Sequence, residues 1–410
     1  MEIRPILSAL RRHKTAAALI VLEIALSCAI VCNALFLVAQ RVDELHRPSG
    51  IAEHELLTIG LGGVGKQADA DARSREDLAA LRSVPGVANA TIVNQVPFQG
   101  GSWNSALSNT PDQEVPTLNL AQYYATPSTL QTMGLKLIAG RDFIADEFRD
   151  GSEFDDAPDM SGLRGSLIVS QAAAEKLFPE GGAQAAIGKT VYMANIPLTI
   201  VGVVERLIRP NGGNGEWNYS MIFPISLNYA NGGFYLIRVS DPARRDEVLK
   251  NALATLEKID PNRLVQFQQT YDDARNDFFA SDRDMIGLLI AVSVLLLLVT
   301  ALGIVGLASF WVAQRTRQIG VRRALGATRV QIQRYFQTEN FLLATAGIVI
   351  GMLLAFAINQ LLMGKYELPR LPWYYLPIGA AILWVLGQVS VLWPARRAAG
   401  IPPAIATRSA

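Results

Sequence analysis

Four long apolar stretches dominate the pattern of hydrophobic and polar positions along the 410-residue chain. They cover Thr15–Val38, Met285–Val312, Phe341–Met363 and Leu376–Trp393, and Glu23 is the single charge within them. A helix needs about 20 residues to cross the hydrocarbon layer. The first three are therefore predicted transmembrane helices; the shorter fourth is a further one, with a buried core helix as its alternative. The second stretch is about 42 Å long as a helix and is expected to extend beyond the bilayer as a stalk.

The segment between the first two apolar stretches has a different character. Residues 41–284 alternate short β-rich stretches with helical ones. This alternation predicts an α+β domain that buries its own core. The clearest strands and helices are predicted at His54–Leu61, Arg75–Arg82, Leu167–Ser170, Gln171–Phe178, Thr199–Val204, Phe234–Val239 and Pro242–Leu256.

Charge divides the chain in the same way and predicts its orientation. Residues 41–284 hold 32 acidic and 22 basic residues, whereas the rest of the chain holds 4 acidic and 15 basic residues. Lys and Arg concentrate on the cytoplasmic side of membrane proteins. The basic groups precede the first stretch, separate the second from the third, and follow the fourth. We therefore expect a membrane protein with both termini in the cytoplasm and residues 41–284 outside it.

These patterns predict a membrane protein of four transmembrane α-helices, with a large extracytoplasmic α+β domain inserted between helices 1 and 2. The transmembrane helices are expected at 15–40, 285–313, 341–363 and 374–395. The other predicted segments are a cytoplasmic interfacial helix (1–14), the extracytoplasmic domain (41–284), a cytoplasmic elbow (314–340), a short extracytoplasmic loop (364–373) and a cytoplasmic tail (396–410).

No arrangement of residues typical of an enzyme stands out. The segment Gly60–Gln67 approaches a phosphate-binding loop, but Gln67 stands where a hydroxyl would hold magnesium. We interpret it as a glycine-rich turn between a strand and a helix. Cys28 and Cys32 lie one helical turn apart within the first apolar stretch, where packing is favoured over a metal site. The chain is expected to be non-catalytic, with no metal or cofactor of its own and no nucleic-acid partner.

The basic link between the second and third apolar stretches carries signals for two helices. Gly326 can end a first helix in a left-handed cap, and Thr328 with Gln331 has the spacing of a capping box for the next one. This predicts a helix–turn–helix elbow joined to two membrane helices. Such an elbow suits force transfer from a cytoplasmic partner, although its arginines could instead only fix topology and contact lipid phosphates.

The segment Gln318–Ala327, QIGVRRALGA, resembles the signature of FtsX/MacB-type ABC transporter permeases. Tyr123–Phe143, Ser166–Val204 and Trp393–Ala410 are similar to further segments of that family, in the same order. The resemblance implies a MacB-like extracytoplasmic core domain and a permease homodimer in the bacterial inner membrane. It also implies a separate cytoplasmic ABC ATPase that holds ATP and magnesium and drives mechanical transmission. The implied coupling helix consists of Gln318, Ile319, Gly320, Val321, Arg322, Arg323, Ala324, Leu325, Gly326 and Ala327.

Gln318 departs from the family pattern, which usually has Glu at this position, so an ion pair to the ATPase is not expected here. No ATPase domain is expected to be fused to the chain. A membrane-fusion or adaptor protein is an optional further partner, beside the lipid bilayer. Efflux of a peptide, antibiotic or lipid-like substrate is favoured. The alternatives are an FtsX-like regulator of cell-wall hydrolases and an ATP-independent membrane sensor or adaptor.

Glu23 is the remaining candidate. A carboxylate in the middle of a membrane helix costs about 3 kcal/mol and faces a partner. Three arrangements are open: pairing across a dimer, hydrogen bonds from Asn359, Gln360 or Gln388, or protonation. A structural role is favoured over a proton or substrate site.

Overall fold

The computed structural model describes residues 14–63, 67, 69–151, 165–212, 216–366 and 370–402, without the side chains of residues 362, 365 and 366. The predicted interfacial helix and most of the predicted cytoplasmic tail lie outside the described residues. The chain divides into two compact units. The inserted domain is Pro48–Ala280, and the helical unit comprises the described residues of Met1–Arg47 and Ser281–Ala410.

Helices and strands are numbered here in chain order. The α-helices are α1 Lys14–Leu45, α2 Ala70–Ser83, α3 Thr129–Met133, α4 Gln171–Leu177, α5 Gly182–Ala186, α6 Arg245–Ile259, α7 Tyr271–Phe278, α8 Ala280–Gln314, α9 Thr316–Ala324, α10 Arg329–Tyr366 and α11 Tyr375–Ala399. The strands are β1 Leu56–Gly62, β2 Val87–Val93, β3 Asn104–Leu107, β4 Leu118–Tyr124, β5 Leu137–Gly140, β6 Arg149–Asp150, β7 Gly165–Ser170, β8 Thr190–Met193, β9 Ile196–Val204, β10 Ser220–Phe223, β11 Ile225–Ser226, β12 Phe234–Val239 and β13 Leu264–Thr270.

Four helices of the described residues, α1, α8, α10 and α11, are long and apolar enough to cross a membrane. They correspond to the four apolar stretches. Helix α11 continues through Pro394 to Ala399, beyond the apolar stretch that ends at Trp393. Pro394, Ala395, Ala398 and Ala399 are all buried. Packing of this last part of α11 therefore outweighs the helix-ending tendency of proline.

Glycines let α1 pack closely against α10 and α11. A Cβ added at Gly351 of α10 would lie 2.5 Å from the Cβ of Cys28, and one at Gly347 would lie 2.8 Å from the Cβ of Ile24. At Gly379 of α11 an added Cβ would overlap the sulfur of Cys32. Small residues at such crossings allow helix backbones to approach each other in a membrane. Both cysteines are fully buried in this contact, as expected of packing residues.

Helix α8 has its buried side chains in its second half. Five of its 35 residues are buried, and all five lie at or after Thr300. The Thr300 hydroxyl is 2.7 Å from that of Ser27 on α1, and Asp282 at the other end of α8 pairs with Arg41 at 2.8 Å. With 35 residues, α8 is about 52 Å long. It is therefore longer than a bilayer requires.

The inserted domain contains a four-stranded antiparallel sheet in the order β13-β1-β12-β2. Helices α2 and α6 cover one face, where residues such as Leu57, Ile59, Leu81 and Val248 form the core. The predicted strand Phe234–Val239 is β12, and the predicted strand at His54–Leu61 begins two residues later as β1. Gly60 and Gly62 lie within β1, and residues 64–66 of the expected glycine-rich turn lie outside the described residues.

The same domain contains a seven-stranded mixed sheet in the order β3-β4-β10-β7-β9-β5, with β8 paired to β9. Helices α4 and α5 pack on it through Ala173, Ala174, Leu177 and Ala186. Strands β6 and β11 form a separate pair. Each sheet has its own buried cluster, which confirms an α+β domain that forms its core without the membrane helices.

Candidate functional site

The elbow, residues 314–340, consists of two helices joined by a tight turn. Helix α9 ends at Ala324, and Gly326 follows with φ +98°, a left-handed conformation that favours glycine. The Ala327 amide donates to the Arg322 carbonyl at 3.0 Å, and the Gly326 amide donates to the Arg323 carbonyl at 3.2 Å. These two bonds form a Schellman cap, so Gly326 ends the first helix as the sequence predicts.

The second helix of the elbow begins with a reciprocal cap. The Thr328 amide donates to Oε1 of Gln331 at 2.9 Å, and the Gln331 amide donates to the Thr328 hydroxyl at 3.2 Å. This is the capping box that the spacing predicts. The two caps together fix the turn between α9 and α10, because each satisfies backbone groups that a helix end leaves open.

The inner face of the elbow packs against three membrane helices. Ile319 of α9 is 5% exposed and lies in a cluster with residues of α8, α10 and α11. The other buried members are Val312, Ile332, Phe336, Ala395, Ala398 and Ala399. This cluster therefore joins α9 to the ends of the other helices through packed side chains.

A buried ion pair holds the start of the elbow to α10. Nη1 of Arg315 lies 3.0 and 2.9 Å from the two carboxylate oxygens of Glu339. The Arg315 side chain is 10% exposed and that of Glu339 is 1% exposed. Arg315 also lies over the Trp311 ring, 5.7 Å from its centroid. Arg315 is therefore a structural residue of the elbow rather than a free basic group.

Two arginines of the signature have different environments. Nη1 of Arg323 donates to the carbonyl of Ala399 at 2.5 Å and ties α9 to the end of α11. The guanidinium of Arg322 lies over the ring of Tyr335, 5.0 Å from the centroid, while its side chain is exposed. Arg322 is thus placed at the surface with a defined orientation, and Arg323 belongs to the internal framework.

The outer face of the elbow exposes apolar side chains beside basic ones. Leu325 is 83% exposed and Val321 is 44% exposed. Gln318 and Arg322 are exposed beside them, whereas Gly320 is buried with Ile319. An apolar centre with a basic and amide rim is a suitable protein-binding surface. The signature therefore separates into an inner, buried part and an outer, exposed part.

Glu23 lies on α1 where Gly303 of α8 approaches it. An added Cβ at Gly303 would lie 2.5 Å from a carboxylate oxygen of Glu23. Two of the three residues proposed as hydrogen-bond donors have other partners, since Asn359 accepts from the Leu371 amide and Gln388 donates to the Gln337 carbonyl. Among the described residues no ion pair involves Glu23.

Sequence reasoning missed the roles of Arg315 and of the last turns of α11. A signal for Arg315 was present, because Glu339 is the first acidic residue after a run of six arginines. A lone carboxylate at the end of a basic segment is a natural partner for one of them. The α11 contribution had no signal, since the pairing of α9 with Ala399 depends on tertiary packing.

The inserted domain has a strongly paired carboxylate at Glu147. Arg141 donates to both of its oxygens at 2.8 and 2.7 Å, and the Ser166 hydroxyl and the Ile144 amide donate as well. The Arg141 guanidinium and these donors lower the pKa of Glu147 to about 2. Among the described residues no group of three or more His, Cys, Asp or Glu side chains is placed to hold a metal ion.

Comparison with known proteins places this architecture in a family. Residues 16–254 match the family described as MacB-like periplasmic core domain, and residues 290–403 match the family described as FtsX-like permease C-terminal. The macrolide export ATP-binding/permease protein MacB of Acinetobacter baylyi is 26% identical over 267 residues, which are 63% of this chain and 40% of that protein. The pyoverdine export ATP-binding/permease protein PvdT of Pseudomonas syringae is 27% identical over 271 residues, with the same two shares.

Two solved structures are similar to part of the chain. One is the extracellular domain of the noncanonic ABC-type transporter YknZ from Gram-positive bacteria, at 16% identity and a TM-score of 0.33, covering 52% of this chain and 100% of that one. The other is the periplasmic region of MacB from Actinobacillus actinomycetemcomitans, with the same identity and TM-score, covering 57% and 97%. The chain spans about two fifths of the length of the curated relatives MacB and PvdT.

The core-domain match covers more than half of the chain. In the sequence, the inserted domain lies between the first and second of four candidate membrane helices. This arrangement is that of a multi-pass membrane protein with an extracytoplasmic α+β domain. The chain belongs to the FtsX/MacB-type ABC transporter permeases that carry a MacB-like periplasmic core domain.

Proposed function

We propose that this chain is a permease subunit that couples ATP hydrolysis by a separate cytoplasmic ABC ATPase to movement of its extracytoplasmic domain. ATP and magnesium would be held by that ATPase. The protein would act as a homodimer in the bacterial inner membrane, with both termini cytoplasmic. Its membrane-spanning, cytoplasmic and extracytoplasmic segments would have the predicted bounds, with the cytoplasmic elbow at 314–340.

The outer face of the elbow is the observation that carries the proposal. Leu325 and Val321 expose apolar surface at the end of a short helix whose other side packs through Ile319. The caps at Gly326 and Thr328 fix this helix, and Arg323 and Arg315 tie it to α11 and α10. A rigid, partly apolar helix joined to several membrane helices can receive a displacement from a bound protein and pass it on. Gln318 would contribute a hydrogen bond rather than an ion pair.

Efflux is the transport direction that the relatives support. The proteins that match this chain are named for export of macrolides and of pyoverdine. A peptide, an antibiotic or a lipid-like molecule would be the substrate, with a membrane-fusion or adaptor protein as an optional partner.

Co-purification with an ATPase tests the proposal. A tagged full-length chain is produced in its own host, purified in mild detergent, and assayed for ATP hydrolysis. The variant Leu325→Asp should abolish the co-purified hydrolysis, because it places a charge in the apolar centre of the contact face. Arg322→Glu should reduce it at least tenfold.

Arg370→Glu is the matched control for the charge reversal. Arg370 is exposed and lies over the Phe356 ring at 5.3 Å, much as Arg322 lies over Tyr335, but at the opposite end of α10. It should leave hydrolysis unchanged. A wild-type preparation without ATPase would instead favour the sensor or adaptor function. Equal hydrolysis in wild type and Leu325→Asp would exclude the elbow as the coupling site.

A further inference from the structure

The inserted domain contains an aromatic cavity of about 470 Å³ on the face of the four-stranded sheet opposite α2 and α6. Four phenylalanines line it. The rings of Phe234 on β12 and Phe267 on β13 have centroids 5.5 Å apart. The ring of Phe98, which follows β2, and that of Phe278 on α7 have centroids 5.7 Å apart. Val96 and Thr58 complete the floor and are 4% and 2% exposed. Binding sites for small molecules have this size and apolar lining.

Gly60 explains how one wall is formed. A Cβ at Gly60 would overlap the ring of Phe267, so the absence of a side chain lets this ring lie across β1. Gly60, the first glycine of the segment that approaches a phosphate-binding loop, thus leaves space for the Phe267 ring in the cavity wall.

The opposite wall depends on a strained residue. Phe98 has φ +58°, a left-handed conformation that is rare for a bulky side chain and costs about 1 kcal/mol or more. Its neighbours hold it there, since the Tyr271 hydroxyl donates to the Pro97 carbonyl at 2.8 Å and the Gln99 amide donates to the Pro210 carbonyl at 3.0 Å. Strain of this kind is retained where the surroundings fix a side chain for a function.

The charge of the cavity is negative. Asp277 lines it beside Phe278, and among the described residues its carboxylate has no ion pair or hydrogen bond. The nearby cation, Arg275, is neutralised by two contacts of 2.7 Å to Glu53. The Arg275 guanidinium lies 4.2 Å from the centroid of Phe98, so the aromatic cluster already accepts one cation.

We infer that this cavity binds organic cations that carry an apolar body. Aromatic faces attract a cation within about 6 Å, and the carboxylate of Asp277 supplies the opposite charge at the edge. The side-chain amides of Gln99 and Gln269 supply hydrogen-bonding groups. Binding itself does not depend on transport. That such cations are the exported substrate class rests on the proposed function.

Tetraphenylphosphonium and tetraphenylborate test the inference, because they have nearly the same size and shape but opposite charge. Binding of each ion to the full-length protein in lipid nanodiscs is measured by equilibrium dialysis, with empty nanodiscs as reference. The phosphonium ion should bind saturably above the empty-disc level, and the borate should not. Asp277→Asn should weaken phosphonium binding about fivefold, and Phe278→Leu should weaken it by a similar factor.

The matched control is Asp246→Asn, which removes an exposed carboxylate of the same domain that does not line the cavity. It should leave binding unchanged. Equal excess binding of the two ions, or an unchanged affinity in Asp277→Asn, would overturn the inference. The experiment distinguishes failure of this inference from failure of the coupling proposal. Leu325→Asp should bind phosphonium as wild type does, and Asp277→Asn should retain the co-purified ATPase.

Discussion

Replacing Glu339 by Gln tests whether the buried ion pair holds the elbow to α10. The substitution keeps the shape of the side chain but leaves the Arg315 cation without its counter-charge, at a position where the two side chains are 10% and 1% exposed. Removing one partner of a buried pair costs about 3–5 kcal/mol. The lower value is used here, because Gln can still accept a hydrogen bond.

A local opening that is about 3 kcal/mol easier is about 150 times more populated. Hydrogen exchange of the α9 amides measures this population directly. Exchange across Thr316–Ala324 should therefore accelerate roughly a hundredfold in Glu339→Gln, while the four-stranded sheet of the inserted domain is unaffected. Arg334→Met is the control, since Arg334 is an exposed arginine of the same elbow.

The double variant Arg315→Met with Glu339→Leu should restore slow exchange, because replacing both members of a buried pair by apolar residues is often neutral. The reasoning would be refuted if Glu339→Gln changed α9 exchange by less than about threefold. It would also be refuted if the double variant exchanged as fast as the single one.

Three further predictions concern other parts of the chain. The pKa of Glu147 falls from 4.5 to about 2 on folding. Its ion pair therefore stabilises the fold by up to about 3 kcal/mol above pH 4.5, and this contribution is lost as the pH falls toward 2. Urea unfolding at pH 7 and pH 3 should show this loss in wild type but not in Glu147→Gln. Gly351→Ala should lower the thermal midpoint of the helical unit by forcing its Cβ onto Cys28, whereas Gly364→Ala on the same helix meets open space and should not. Gly326→Ala also meets open space, so it should accelerate α9 exchange only about fivefold, through about 1 kcal/mol of backbone strain.

Features that depend on neighbouring residues in the chain could be predicted from the sequence. The membrane helices follow from long uncharged stretches, and the caps at Gly326 and at Thr328 with Gln331 follow from residue types at fixed spacings. Strand β12 has the predicted bounds because turn-forming residues stand on both sides of its β-rich segment. In each case the deciding interaction lies within a few residues.

Features that depend on distant residues could not be predicted. Pro394 follows the fourth apolar stretch, and burial against α9 keeps α11 helical past it to Ala399. Gly60 resembles part of a phosphate loop. In the structure, the ring of Phe267, about 200 residues away in the sequence, occupies the space that a side chain at Gly60 would need. The cavity around Asp277 is lined by strands and a helix. They lie close together because the strand order is β13-β1-β12. Periodicity along the chain does not specify that order.

The glycine contacts of α1 also restrict where a solute could cross. At Gly347 and Gly351 the α10 backbone lies so near to α1 that even one methyl group would not fit between them. Within a single copy of the chain, these two positions therefore leave no space for a solute between α1 and α10.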